Sequence, residues 1–463
     1  MILAEELTKI LSSDQVTQNL TILQQHSQDE SFHEPHLPDV VVFPKSSNDV
    51  SRILSFANEH RIPVVPFGAG SGLEGHAIPV QGGITLDFAL MNRILEIYPS
   101  DFCVKVQPGV TRLQLNKELK KYGLFFSVDP GADATLGGMA ATNASGTTAV
   151  RYGIMRDQVR DLEVVLADGR TIHTGGQAVK SSSGYHLNGL FTGSEGTLGV
   201  FTELTLKVYG IPECVMAARA AFPTVKQALN TATSILTAGI PIAKMELVDS
   251  RSILQMNRFQ ETDYPVMPTL FLEFHGNDNG LEQETAFTRL IAEEQACVDF
   301  IYESDSKERK KLWKARHHLS YAFRHGSPGK HIEGTDVCVP LSCLADSIEH
   351  ARKKMEEADI DGAVIGHIGD GNYHTLLVID PDDPNDRKKA HEINKAIVEF
   401  ALQHGGTCTG EHGVGLGKIR YQRTEHGNAL DVMMDLKRLL DPNHILNPGK
   451  LFPMSSPSTL NIN

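Results

Sequence analysis

The chain has 463 residues, of which 41% are hydrophobic and 22% charged, with 40 Gly and 22 Pro. That length gives two or three domains around a large core, and the composition excludes a disordered or collagen-like chain. A formal net charge of -14, from 43 Lys+Arg against 57 Asp+Glu, excludes a molecule drawn as a whole to nucleic acid or to an anionic membrane.

Six cysteines, Cys103, Cys214, Cys297, Cys338, Cys343 and Cys408, are scattered and share no two-residue gap of a metal knuckle or redox pair. They read as reduced thiols of a cytosolic-type compartment, and an iron–sulfur cluster within the chain is not expected. No apolar run approaches the ~18 residues that span a bilayer. The first 40 residues carry one basic side chain, Lys9, and seven acidic ones, unlike a signal or transit peptide. The expected location is cytoplasmic, with peripheral docking at a membrane left open.

Leu3, Leu7, Ile10 and Leu11 lie at helical spacing and predict a short amphipathic helix. Val40 to Pro44 reads as a strand. Ser46 and Asp49 form a capping box ahead of a helix whose face is Val50, Ile53, Leu54 and Ala57. Pro63-Val64-Val65-Pro66 is a second short strand, and it runs into a glycine-rich loop. Further strands follow at 83–88, 104–106, 161–166 and 204–208, with a hairpin turn at Asp168-Gly169. Pro130 to Arg151 is rich in Gly, Ala, Ser and Thr, too small in side chains for a core, and suggests backbone lying close to a ligand. Ile211-Pro212-Glu213 marks a domain boundary. Beyond it strands and helices alternate, with a clear helix over Lys388–Gln403 ended by Gly405-Gly406. There is no internal repeat.

The first glycine loop contains Gly70-x-Gly72-x-x-Gly75. This matches the dinucleotide fingerprint in letters, but Pro79 and Gly82-Gly83 follow where that fingerprint needs a helix, so a nicotinamide Rossmann site is rejected. What remains is a nest of backbone N–H groups for phosphate, set against a plain solvent loop. The second glycine-rich stretch is Pro130 to Met139, continuing to Asn143–Gly146, and the third is Gly193 to Val200. In the second half His367 and His374 flank Asp370-Gly371, and Gly410-Glu411-His412-Gly413 follows. Two imidazoles and a carboxylate with an open position compose a catalytic divalent-metal site. A bare hairpin turn with solvated Glu411 and His412 fits the same spacing. Arg316 shares a helix face with Trp313, which suits either a substrate carboxylate or a solvated basic face.

The segments PFGAGSGLEG, VDPGADATLGGMAATNASGT, AVRYG and GSEGTLGV resemble the FAD-binding domain of the vanillyl-alcohol oxidase / p-cresol methylhydroxylase superfamily, and within it the FAD-linked D-2-hydroxyacid dehydrogenases. The resemblance implies an α+β fold: a two-subdomain FAD-binding domain of that type and a substrate (cap) domain with antiparallel sheet and helices. The expected limits are 1–213 for the FAD domain (core 38–208), 214–420 for the substrate domain with the metal site, and 421–463 for a segment returning to the FAD domain. The implied cofactor contacts begin with Pro66 and the pyrophosphate loop Gly68, Ala69, Gly70, Ser71, Gly72 and Leu73. Pro130, Gly131, Ala132, Thr135, Gly137, Gly138, Asn143, Ser145 and Gly146 would wrap the flavin and ribityl chain, with Tyr152 close by. Glu195, Gly196, Gly199 and Val200 would reach the adenosine side, and Asn447 would return beside the isoalloxazine ring. Non-covalent FAD is expected, with His76 a surface histidine after the loop.

By the same resemblance, His367, His374 and Glu411 hold one divalent ion (zinc, manganese or iron by ligand type) and His412 is the catalytic base. Arg316 binds the substrate carboxylate, with Asn372 near substrate or flavin. The implied activity is oxidation of D-lactate or a related D-2-hydroxy acid. Electrons would leave to an external acceptor: a cytochrome, a quinone, an electron-transfer flavoprotein or an iron–sulfur subunit. Alternatives are the flavin subunit of a glycolate oxidase, a D-2-hydroxyglutarate dehydrogenase and, from a different class, a non-catalytic flavin-binding redox module. No nucleic acid partner is expected, and a homodimer is compatible with the sequence. The segment around Thr335-Asp336 resembles the same family, but its residues carry no evident chemical role.

Overall fold

The computed structural model describes residues 3–453. Its first sheet is built by a strand–helix–strand unit. Val40–Val42, Ile84–Asp87 and Val64–Phe67 run parallel in that spatial order, and Val16–Thr17 adds antiparallel at the edge. The crossover is the helix Ser47–His60, whose Val50, Ile53, Leu54 and Ala57 are wholly buried against the strands. Ser46 caps it as expected, accepting from the Asp49 N–H at 3.2 Å. The box is not closed, however. The Asp49 carboxylate accepts instead from Lys45 N and Gln15 Nε2, both at 3.0 Å, because Gln15 of the edge segment lies within its reach. The first helix spans Leu3–Ile10 and buries Leu7 in the same core.

The second sheet is antiparallel, in the order Ile94–Tyr98, Cys103–Val106, Val200–Lys207, Val159–Val165, Thr171–His173. Its last two strands are joined by the Asp168-Gly169 turn, closed by Leu166 N donating to Arg170 O at 2.9 Å. The stretch from Pro130 to Arg151 is not a continuous loop. It contains the helix Leu136–Thr142, capped by Thr135, and the turn Ala149–Tyr152. Small residues over this stretch let a helix pack at close range.

Residues 214–379 supply the third sheet, in the order Asp299–Glu303, Cys214–Ala221, Thr269–Gly276, Ile242–Val248, Gly362–Gly366, Asn372–Ile379, His331–Gly334. All its pairings are antiparallel. Side chains alternate between its faces. One face carries Leu270, Leu272, Phe274, Leu247 and Val364 against the helices Val225–Thr237, Leu344–Glu357 and Pro384–Gln403. The opposite face carries Phe271, Val248, Ile365 and Leu376 against Ser250–Gln260, Ser306–His317 and Leu319–Gly326. The helix expected from Lys388 starts earlier, at Pro384, because Asp383 caps it and proline fits a first turn whose N–H needs no partner.

After the helix Ala429–Leu440 the chain returns to the first sheet. Val64 N donates to Ile445 O at 2.7 Å and Asn447 N to Val64 O at 2.8 Å. All six cysteines are free thiols, and among the described residues no helix is long and apolar enough to cross a membrane.

Buried Lys437 fastens this return. Its ammonium donates to Thr197 O at 2.7 Å, Leu446 O at 2.8 Å and Asp441 Oδ2 at 2.5 Å. Lys437→Met leaves the buried Asp441 carboxylate without its cation, a loss of about 3 kcal/mol. The expected result is a melting temperature several degrees lower in a thermal scan.

Candidate active site

Glycine loops from the first two sheets enclose a cleft of about 1290 Å³, a figure that includes space open to solvent. Its wall is largely backbone and small side chains. Pro66, Gly68, Ala69, Gly70, Ser71, Gly72 and Leu73 form one side; Pro130, Ala132, Thr135, Gly137, Gly138 and Ser145 form another; Glu195, Gly196, Gly199, Val200 and Asn447 close it. At Gly68 a Cβ would meet Thr135 Oγ1 at 2.3 Å, so only glycine lets the first loop rest on the cap of the Leu136–Thr142 helix. No helix follows Gly75, in keeping with the rejected Rossmann reading; the chain passes directly to the strand Ile84–Asp87.

Four residues of the implied cofactor set lie outside this wall. Gly131 is exposed, and Gly146 sits against the Asp129 backbone. Asn143 ends its helix in the left-handed region and accepts from Arg156 N at 3.0 Å. Tyr152 points to the third sheet, with its hydroxyl 2.7 Å from His275 Nδ1. His76 corrects an expectation. It is not a surface histidine: it is 8% exposed, lines the cleft, and lies 3.5 Å from Glu195 Oε2. Packing between the first loop and residues 413–415 covers it, and no local sequence signal announces that contact.

The second constellation assembles on one face of the third sheet. Lys244, Glu246 and Val248 share a face by period two, as do Ala363, Ile365 and His367, and His374 and Leu376. Apolar in one half, this face turns polar where Glu246, His367 and His374 lie together. His367 follows the strand Gly362–Gly366 directly and His374 stands in Asn372–Ile379, so the hairpin brings their rings to 5.6 Å between centroids.

Each imidazole is anchored through Nδ1, His367 to Glu246 Oε1 at 2.5 Å and His374 to Thr335 O at 3.0 Å. That leaves both Nε2 atoms converging on Glu411 Oε1, at 3.3 and 3.2 Å. Glu411 Oε2 is buried without a hydrogen-bond partner. Burial alone would lower the His367 imidazole, yet Glu246 and Glu411 raise it well above its ordinary value. The same carboxylates that hold a proton there would hold a cation. Two anchored imidazoles and a half-satisfied carboxylate therefore fit a divalent ion. A second grouping, Asp336 with His374 and His412, does not: both Asp336 oxygens are already engaged.

Asp336 is the residue that sequence reasoning left without a role. Its Oδ2 accepts from Thr409 Oγ1 at 2.6 Å and from the N–H groups of Gly410, Glu411 and His412 at 2.7, 3.0 and 2.9 Å. Its Oδ1 accepts from Asn372 Nδ2 at 2.8 Å. So held, Glu411 and His412 reach the wall of the glycine-built cleft. The His412 ring stacks on His374 at 5.1 Å. Burial pushes its pKa down to about 4, with His374 adding to the effect against the pull of Asp336, and this keeps the imidazole neutral near pH 7.

Arg316 comes from the helix Ser306–His317. It is buried, donates from Nη2 to Glu246 Oε2 at 2.7 Å, and leaves its Nε without a partner. It is thus not on a solvated basic face. Asn372 is also buried, with its Oδ1 unpartnered.

Comparisons with known proteins agree with the cleft as a place for FAD. Residues 38–175 match the FAD binding domain family, and residues 211–451 match the FAD linked oxidases, C-terminal domain. The chain is 44% identical to a probable mitochondrial D-lactate dehydrogenase of Danio rerio over 97% of this chain and 91% of that one. It is 34% identical to a glycolate oxidase subunit of Bacillus subtilis over 92% of each. In fold it is similar to p-cresol methylhydroxylase, with a TM-score of 0.81 at 19% identity over 97% of this chain and 96% of that one.

Exchanging Asp336 for Asn removes the shared acceptor of residues 409–412. In Asp336→Asn, hydrogen exchange at the amides of Gly410, Glu411 and His412 is expected to quicken about a hundredfold, the ~3 kcal/mol of charged hydrogen bonds lost.

Proposed function

The chain belongs to the FAD-linked oxidases related to D-lactate dehydrogenases, and from that premise we propose that it oxidises D-lactate or a close D-2-hydroxy acid to the 2-oxo acid. The observation that carries this reading is the placement of Glu411 and His412. One dipeptide faces the paired histidines and also lines the glycine-built cleft. A flavin in that cleft and an ion at the histidines would therefore share a single substrate between them.

When bound, FAD supplies a hydride acceptor and the divalent ion a Lewis acid for the substrate hydroxyl. FAD is held without a covalent bond by the wall residues, and the ion by His367, His374 and Glu411. Arg316 grips the substrate carboxylate; its unpartnered Nε leaves a donor to spare beyond the Nη2 bond to Glu246. His412, neutral and stacked beside His374, takes the hydroxyl proton on its ring. Asn372 lies between Asp336 and the loop and orients the same corner.

The limits 1–213, 214–420 and 421–463 belong to this reading. They are supported by the third sheet beginning at Cys214 and by the return of Ile445 to Asn447 to the first sheet. The expected location, cytoplasmic with peripheral docking at a membrane left open, is in keeping with six free thiols, which fit a reducing compartment. The electron acceptor lies outside the chain: a cytochrome, a quinone, an electron-transfer flavoprotein or an iron–sulfur subunit. A second reading, the flavin subunit of a glycolate oxidase, is favoured by the Bacillus subtilis relative and would use the same residues.

Anaerobic mixing of the yellow protein with D-lactate, L-lactate and glycolate separates these readings. Rapid bleaching of the flavin band by D-lactate is expected; faster bleaching by glycolate would turn the assignment to the second. In His412→Ala, FAD content is unchanged while flavin reduction slows by about a hundred- to ten-thousandfold. Near wild-type reduction by that variant would sink the assignment of the base. Arg316→Lys replaces a planar fork by a point charge, and the KM for the hydroxy acid is expected to rise about tenfold or more in steady-state assays.

A further inference from the structure

Glu195 stands in the third glycine loop, with φ 53, and lines the cleft. Its carboxylate bridges to another segment. Oε1 accepts from Val414 N at 2.7 Å and Oε2 from Gly415 N at 2.9 Å, just after Glu411, with His76 Nε2 lying 3.5 Å from Oε2. The residue is 5% exposed. From the other side, Asn447 Nδ2 donates to Glu195 O at 2.8 Å and to His76 O at 3.1 Å, tying it to the first glycine loop as well. The fit is tight. At Gly413, with φ +85, a Cβ would lie 2.6 Å from His76 Nε2 and 2.9 Å from Glu195 Oε1.

We propose that Glu195 is a positioning residue that couples the two ligand sites, so that FAD and the divalent ion bind cooperatively through its carboxylate. This rests on the reading of His367, His374 and Glu411 as the ion's ligands.

The physical case is an ordering argument. Loops rich in glycine lose much entropy when fixed, and a filled cleft holds the Gly193–Val200 loop against one side of its ligand. With that loop in place, Glu195 presents a charged acceptor to two consecutive amides only three and four residues after Glu411. The ligand carboxylate is then set opposite the histidines before an ion arrives. Without FAD, the ion must order both loops itself and binds less tightly. Coupling of this kind is reciprocal, so the ion must tighten FAD by the same factor. Asp336 holds residues 409–412 from within the substrate half, whereas Glu195 holds 414–415 from the FAD half and so crosses between the sites, beside a backbone bond from Leu416 N to Glu74 O at 2.7 Å.

The test measures Mn2+ affinity by titration calorimetry on the full chain, stripped of metal, with FAD bound and with FAD removed. In the wild type, Mn2+ is expected to bind about tenfold more tightly to the FAD-loaded form, within the usual ~5–150-fold range of coupling. In Glu195→Gln one amide faces a second donor in place of an acceptor, and the ratio is expected to fall towards one while the FAD-loaded variant still binds Mn2+. Equal affinities for both wild-type forms would overturn the coupling and leave the ion site standing, a result independent of whether the variant folds. An undiminished ratio in a folded Glu195→Gln protein would overturn the role of this carboxylate. Failure of Mn2+ to bind either form would overturn the reading of the ion site and the coupling with it.

Discussion

The site depends on a buried carboxylate that touches none of the chemistry. Asp336 gathers a hydroxyl and three consecutive backbone N–H groups on one oxygen, and thereby fixes the path of residues 409–412. Charge-assisted bonds to an ionised acceptor are about twice as strong as neutral ones. A loop of Gly, Glu, His and Gly has no packing of its own with which to hold a single shape. Without this anchor, Glu411 and His412 would have no reason to meet the histidines of a distant hairpin.

Around that anchor the third sheet divides its two faces between different tasks. One face is mainly apolar and seats long helices. The other is apolar under Phe323 and Trp313 but gives way to Glu246, Glu273, His275, His367 and His374. The buried ionic groups come in contacting sets: Glu246 with Arg316 and His367, Glu273 with Lys244 and His275. Such pairing lets charge stand at low exposure, since an isolated buried charge costs far more than a hydrogen-bonded pair.

How much of this the sequence carried follows from the range of each interaction. The glycine loops, the absent Rossmann helix, the crossover helix and the His–Asp-Gly–His hairpin are written in neighbouring letters, and they were legible. Glu246, Asp336 and the buried state of His76 were not, because each acquires its meaning from partners far along the chain: Glu246 from His367, Asp336 from residues 409–412, His76 from Glu195 and Gly413. The capping box at Ser46 shows the same limit on a smaller scale, where a remote glutamine outcompeted the local partner of Asp49. The helix within the Gly/Ala/Thr stretch was hidden for a different reason. Small residues signal close approach without saying whether the approaching backbone is coil or helix.

The pair of Arg316 and Glu246 bears on selectivity. Glu246 uses one oxygen to orient His367 and the other to hold Arg316, so it ties the guanidinium to the imidazole through one buried side chain. A neutral alcohol entering the site would leave the remaining guanidinium donors desolvated and unpaired. An acid held by Arg316 would satisfy them without disturbing Glu246, because a guanidinium carries five donors and this contact engages Nη2 alone. Rejection of a ligand that strands a buried polar group is stronger than attraction to one that merely fits. Under the proposed role of Arg316, a preference for a carboxylate beside the hydroxyl would arise as much from what the guanidinium would lose as from what it would gain.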